Sequence, residues 1–245
     1  FARAMTIYAI GDIHGHLDQL RAAHDRVAAD RAREGTETAS LVHVGDLVDR
    51  GPDSAGVVSL LASLAAHDPR VVVLKGNHDA MFSDFLEQGP DPARSRWLSD
   101  TMGGRETLLS YDVPPDLPEA ERHAALLRAV PLQHRRFLAG RPTLHREGGY
   151  AFVHAGIRPG IALDAQKEED LLWIRGPFLF DTRDHGALIV HGHTPVERVE
   201  LHPNRLAIDT GTAWGGPLTA VAIEPDGGVF VLTDTGRFPV RPVTP

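Results

Sequence analysis

Thr6-Ile7-Tyr8-Ala9-Ile10-Gly11-Asp12-Ile13-His14-Gly15 states the pattern on which the chain is built. An apolar, β-rich run stops at a glycine and a cluster of side chains able to bind metal. The pattern recurs four times. Leu41 to Val44 runs into Gly45-Asp46, and Val71 to Leu74 into Lys75-Gly76-Asn77-His78-Asp79. Tyr150 to Val153 runs into His154-Ala155-Gly156, and Leu188 to Val190 into His191-Gly192-His193-Thr194. Each run has the Val/Ile/Leu content of a buried strand bounded by glycine.

Helical patterns separate the first three runs. Leu17, Leu20 and Val27 mark one face of a helix from about Leu17 to Ala32, and Val57, Val58, Leu60, Leu61 and Leu64 mark another. This alternation predicts βαβ units and a partly parallel sheet. Arg205 to Ile208, Leu218 to Ile223 and Gly228 to Leu232 follow one another without a helix and are expected to form an antiparallel sheet. Both patterns in one chain predict an α/β fold of two packed mixed sheets with helices outside. Residues 82–144 break the rhythm with helical stretches interrupted by Gly89-Pro90 and Val113-Pro114-Pro115, and are read as a helical insertion near the site. A single domain over residues 5–237 and an extended, proline-rich tail over 238–245 are expected. Met5 is expected as the native start, and the opening residues show no signal peptide.

The 245 residues are ample for a buried core. The net charge of -8 speaks against nucleic acid and anionic membrane as partners. No run approaches the roughly 18 apolar residues of a membrane span. The absence of cysteine excludes disulfides, thiolate ligands and a cysteine nucleophile, and fits a cytoplasmic setting. No Gly-x-Gly-x-x-Gly follows a strand and no P-loop occurs.

Ligands bind open α/β sheets beyond the carboxyl ends of the strands. Here those ends carry Asp12, His14, Asp46, Asn77, His78, His154, His191 and His193. Carboxylate, imidazole and amide oxygen suit manganese, iron, zinc or magnesium rather than a soft metal. His191 and His193 both lie at one strand end, and position alone does not choose between them.

Gly11-Asp12-Ile13-His14-Gly15, Gly45-Asp46-Leu47-Val48-Asp49-Arg50-Gly51 and Gly76-Asn77-His78-Asp79 resemble the three signature motifs of the phosphoprotein phosphatase branch of the calcineurin-like metallophosphoesterases. His154-Ala155-Gly156 and Gly192-His193-Thr194-Pro195 resemble the family's two later histidine motifs. Within it the chain most resembles bacterial and phage serine/threonine phosphatases, with symmetrical diadenosine tetraphosphatases nearby; Leu171-Leu172-Trp173-Ile174-Arg175 supports the bacterial grouping. The resemblance implies a four-layer α/β/β/α sandwich around two divalent metal ions, with manganese favoured. It implies Asp12 and His14 on the first metal, Asp46 bridging, and Asn77, His154 and His193 on the second. The Gly-His-Thr-Pro match favours His193, which places His191 behind the ligands. His16 is expected on the surface at a helix start.

Two divalent ions about 3.5–4 Å apart can activate water and neutralise phosphate charge together. Arg50 and Arg175 are expected to hold phosphate oxygens in fork geometry, with Arg158 a weaker candidate. His78 is expected as general acid, with Asp49 on its far ring nitrogen and Asp79 as a helix cap. The leading expectation for substrate is phosphoserine or phosphothreonine in proteins, possible phosphotyrosine included. The alternative is a dinucleoside polyphosphate or other small phosphate compound, with the insertion as the discriminating surface. Arg94, Arg96 and Arg105 there are candidates for extra phosphates, and are otherwise solvated helix charges. Trp97 and Tyr111 are candidates to stack on a base, and are otherwise core.

Overall fold

The computed structural model describes residues 6–89 and 95–243. The expected start at Met5, Pro90 and Arg94 lie outside the described residues.

β1 (Ile7–Ile10), β2 (Ser40–His43) and β3 (Val71–Val73) pair in parallel. They are linked by α1 (Leu17–Glu34) and α2 (Ser54–His67), as the βαβ pattern requires. β9 (Ala220–Ile223), β10 (Val229–Thr233) and β11 (Gly236–Pro239) extend this sheet antiparallel from β1, in the order β11-β10-β9-β1-β2-β3. The second sheet has the order β4-β5-β6-β8-β7, from β4 (Leu144–Glu147), β5 (Tyr150–Val153), β6 (Leu188–His191), β7 (Glu200–Leu201) and β8 (Arg205–Ala207).

The period-two alternation of the strands separates the layers. Ile7 and Ala9 of β1, Val221 and Ile223 of β9, Phe152 of β5 and Val190 of β6 meet in one core between the sheets. Tyr8, Ile10, Ala220 and Ala222 face the other way, against Leu20 and Val27 of α1 and Val57 and Leu61 of α2. On the far side, Ala151, Val153 and Ile189 pack against Leu171 of α7 (Glu168–Trp173) and Phe178 of α8 (Gly176–Leu179). The result is the expected α/β/β/α sandwich.

The described part of the insertion is helical: the later turns of α3 (Asn77–Gln88), a 3-10 turn (Ser95–Leu98), α4 (Gly104–Ser110), α5 (Glu119–Ala129) and α6 (Leu132–Ala139). Phe82, Trp97, Leu108, Leu126 and Phe137 join the core under α1 and α2, so it thickens one helix layer rather than forming a core of its own.

Two expectations change. Arg205 to Ile208 does not join the next two strands in one antiparallel sheet. β8 lies in the second sheet, parallel to β6, while β9 and β10 pair antiparallel in the first. The segment between Ala207 and Ala220 crosses between the sheets, turning at Gly211 and Gly215 with φ of 78° and 85°. Spacing in sequence does not distinguish such a crossing from a hairpin. The tail boundary at 237 also falls inside β11, where Phe238 pairs with Val231 and Pro239 with Phe230. This is an edge strand, where proline is tolerated.

Candidate metal centre and active cleft

The loops at the strand ends are tied to one another by backbone hydrogen bonds. The N–H groups of Ile13 and His14 donate to the carbonyl of Asp46 at 3.0 and 2.8 Å, and Gly15 donates to Leu47 at 2.9 Å. Asp79 accepts from Gly76 (2.8 Å) and from Leu47 (2.9 Å), so one buried carboxylate caps α3 and pins the second loop to the third. The His78 N–H, in the first turn of α3, donates to Asp46 Oδ1 at 3.0 Å, which places that carboxylate at a helix N-terminus. Side chains at Gly76 and Gly192 would collide with Asp46 and with Asp12 Oδ1 respectively.

Among the described residues, His14, Asp46, Asp49, Arg50, His193 and the remote Asp112 have positive φ without being glycine. Five of these six belong to the expected site. Such conformations cost on the order of 1–3 kcal/mol each and concentrate where surrounding structure imposes them for function.

Two buried triads of potential ligands share one residue. His14, Asp46 and His78 form the first, and Asp46, His154 and His193 the second. Asp46 Oδ2 faces His14 Nε2 at 3.4 Å, and its Oδ1 faces His154 Nε2 at 3.4 Å, so its two oxygens serve the two sides. His14 Nδ1 donates to the Val48 carbonyl (3.1 Å) and His154 Nδ1 to that of Val44 (3.0 Å). Those bonds leave each Nε2 with its lone pair toward the centre. Burial pushes His14 down to about 3, so the imidazole stays neutral, and lowers His154 likewise. His193 is also lowered, by burial and then by His154.

Asp12 lies outside both triads. Its Oδ2 accepts the His193 N–H at 3.0 Å, while its buried Oδ1 has no protein partner. Burial, then the charges of Asp209 and Asp46, push its carboxyl well above the usual range. Buried carboxylates that repel one another beside neutral imidazoles are the environment a divalent cation relieves. The residues therefore fit a metal centre. Asn77 Oδ1 lies 2.8 Å from His154 Nε2, on the second side. His191 belongs to neither triad; its ring packs edge-on to Phe178 at 5.1 Å.

The first triad includes His78, which the sequence motifs separate from the ligands. Its Nδ1 donates to Asp49 Oδ2 at 2.7 Å. Burial alone would lower the His78 imidazole, but the Asp46 charge and the Asp49 bond outweigh it and hold it above its ordinary value. Asp49 is itself fully enclosed. Trp97 Nε1 donates to both its oxygens at 3.0 Å, and the Thr107 hydroxyl donates to Oδ1 at 2.6 Å. Both donors come from the insertion.

A cleft of about 350 Å³ opens over the triads, lined by Arg50, Arg96 and Arg175 among others. Arg50 Nη1 donates to His14 Nε2 at 3.0 Å, and Arg175 Nε to His193 Nε2 at 3.1 Å. Of the other candidate arginines, Arg158 pairs with Asp170 away from the cleft and Arg105 pairs with Asp116 at 2.8 Å. Trp97 and Tyr111 are core residues, and Trp97 anchors Asp49 from there. His16 is half-buried at the N-cap of α1.

Among the lining residues, one carboxylate and two indoles have no counterpart among the sequence candidates. Asp209, two residues beyond β8, is pushed up to about 6, mainly by burial. Leu206-Ala207-Ile208-Asp209-Thr210-Gly211 repeats the apolar-run-to-polar-cluster pattern, and that signal was available. Trp173 and Trp214 also line the cleft, and no periodicity marks them.

A carboxylate shared between two histidine-bearing triads, at the strand ends of a double-sheet sandwich, is an arrangement able to hold two divalent ions, as hydrolases with binuclear centres do. The family model for calcineurin-like phosphoesterases matches residues 5–222, and the chain belongs to that family. A symmetrical bis(5'-nucleosyl)-tetraphosphatase of Nitrosospira multiformis is 30% identical, covering 92% of this chain and 95% of that one. Serine/threonine-protein phosphatase 1 of Salmonella typhimurium is 29% identical, covering 89% and 92%. Among solved structures, one provisionally named a diadenosine tetraphosphatase aligns with a TM-score of 0.62 at 22% identity, over 98% of this chain and 96% of that one. A cold-active protein-tyrosine phosphatase of a Shewanella species aligns at 0.61 and 17% identity, over 97% and 81%. Among the described residues no helix is long and apolar enough to cross a membrane.

Proposed function

We propose that the chain hydrolyses dinucleoside polyphosphates with two divalent ions, manganese being the favoured metal. The observation that carries this reading is the three-arginine lining of the cleft. Arg50, Arg96 and Arg175 offer more fixed positive charge than one phosphoryl group requires, and guanidinium forks suit a chain of phosphates. The names of relatives such as the Nitrosospira enzyme agree with it.

Asp12 and His14 would hold one ion, Asp46 both, and Asn77, His154 and His193 the other. Ions held there would acidify water and draw charge from the phosphate oxygens. As water oxygen adds to phosphorus, the bond to the leaving oxygen breaks, and His78 supplies that oxygen with a proton. Asp49 holds the imidazole in the tautomer with Nε2 toward the cleft. Arg50 and Arg175 would turn from the histidine lone pairs they now engage to the phosphate oxygens.

A second reading is a phosphoserine/phosphothreonine protein phosphatase, which the 29% identical Salmonella relative favours. A manganese-loaded substrate panel separates the two. Diadenosine tetraphosphate is expected to turn over with kcat/KM at least tenfold above phosphoserine, phosphothreonine and phosphotyrosine peptides. A hundredfold preference for a phosphopeptide overturns the proposal.

A further inference from the structure

Trp214 is 68% exposed, yet it stands at the cleft rather than on an open face. It ends a 3-10 turn (Thr212–Trp214) held between Gly211 and Gly215. The Trp214 and Gly216 N–H groups both donate to the Gly211 carbonyl, at 2.8 and 2.9 Å, and the Thr212 hydroxyl donates to Pro217 at 3.3 Å. The indole is therefore presented on a braced turn.

Arg50 links it to the metal ligands. Its guanidinium carbon lies 4.9 Å from the centre of the Trp214 ring, while its Nη1 donates to His14. Its backbone is clamped by the Gly103 carbonyl at 3.1 Å. One guanidinium thus reaches from a candidate metal ligand to the face of an exposed indole. Phosphate held by Arg50 brings whatever is attached to it beside that ring. Trp173, 36% exposed, provides a second indole at the cleft, edge-on to His193 at 6.2 Å.

Every nucleobase has a flat π face, and stacking on tryptophan tolerates any base. A serine or threonine phosphoester has no ring to place there. We propose that Trp214, braced by Arg50, is the platform on which a nucleobase of the substrate stacks, so that it separates nucleotides from simple phosphate esters. This rests on the dinucleoside polyphosphate reading and adds a residue to it.

The test compares Trp214→Ala and Trp214→Phe with the wild type, all loaded with manganese. In Trp214→Ala, the KM for diadenosine tetraphosphate relative to that for phosphoserine is expected to rise about tenfold or more, the scale of one base–aromatic stack. Trp214→Phe is expected to recover most of that ratio. Titrating wild type with AMP is expected to quench tryptophan fluorescence; inorganic phosphate should leave it unchanged, and Trp214→Phe should lose the quench. A wild type that prefers the dinucleotide, with a ratio unchanged in Trp214→Ala, overturns the platform and leaves the reading of function standing. A wild type that prefers phosphopeptides overturns both. A relative KM that rises for phosphotyrosine and not for the dinucleotide assigns the ring to a phenol and overturns the nucleobase.

Discussion

His78 and Asp49 are joined by a 2.7 Å hydrogen bond from Nδ1 to Oδ2, and both side chains are buried. The bond fixes one tautomer and leaves Nε2 as the proton-bearing or proton-accepting atom facing the cleft. His78→Ala should retain both metals but lose about 10²–10⁴-fold in kcat on phosphoserine, the usual range for general acid catalysis. It should lose much less on p-nitrophenyl phosphate, whose phenolate leaves without a proton. Parallel rate and metal measurements check this, and equal losses on the two esters would remove the acid role.

Trp97 is a core residue that also donates to both Asp49 oxygens. Trp97→Phe keeps most of the ring packing against Phe82 and Phe85 and deletes the donor. Asp49 then keeps the Thr107 hydroxyl but loses a partner in a buried place, at about 1–3 kcal/mol. Urea unfolding should show a loss of that size, with kcat reduced about tenfold and KM little changed. An unchanged kcat would confine Trp97 to packing.

Asp46 presents one oxygen to His14 and the other to His154. Asp46→Asn removes the charge shared by both triads, so both metals should weaken together. Elemental analysis after dialysis reads the outcome directly. Two ions at full occupancy in the variant would contradict a bridging role.

Away from the cleft, His24 of α1 and His43 of β2 share a hydrogen bond of 2.8 Å between their Nε2 atoms, and His43 Nδ1 donates to Val72. Burial pushes His24 down to about 4 and His43 to about 3. Their folded values lie below the ordinary value of 6.5, so the unfolded chain binds more protons between 6.5 and these values. The stabilising contribution is present above pH 6.5 and is lost as pH falls toward 4 and 3. The slope approaches about 1.4 kcal/mol per pH unit for each fully titrating group. The double variant His24→Leu/His43→Val should unfold in urea with a flatter pH dependence than wild type between pH 6.5 and 4. Identical slopes would show that the pair does not titrate on unfolding.

The five apolar runs ending in Asp, Asn or His made the centre legible, because buried strands must be apolar on both faces and only their ends can carry ligands. Tyr8 and Ile10 face one layer and Ile7 and Ala9 the other, and all are buried. The edge strands β4, β7 and β11 have no such signal; they are short and partly exposed. Sequence distance could not assign β8 to the second sheet, since the chain crosses between sheets within one connection. Trp97 and Trp214 show the remaining gap. One is buried and polar-bonded, the other exposed over the cleft, and nothing in their local sequence ranks their exposure.

Asp209 carries the last prediction. It lies two residues beyond β8 as Asp12 lies two beyond β1, lines the same cleft, and raises the Asp12 carboxyl by its charge. Its backbone is held: the carbonyl accepts from Val196 at 3.0 Å, and Oδ1 accepts from Gly211 at 2.9 Å. A third carboxylate beside Asp12 and Asp46 deepens the negative potential that cations would occupy, and affinity for hard divalent ions follows ligand charge. Asp209→Asn preserves shape and the acceptor toward Gly211 while deleting the charge. Calorimetric titration of the metal-free protein with manganese should show affinity at the weaker site lowered about tenfold, by roughly 1.4 kcal/mol. With saturating manganese the variant should recover most of its kcat, because charge rather than a ligand atom has been removed. Loss of one binding event would instead make Asp209 a direct ligand, and an unchanged isotherm would remove it from the centre.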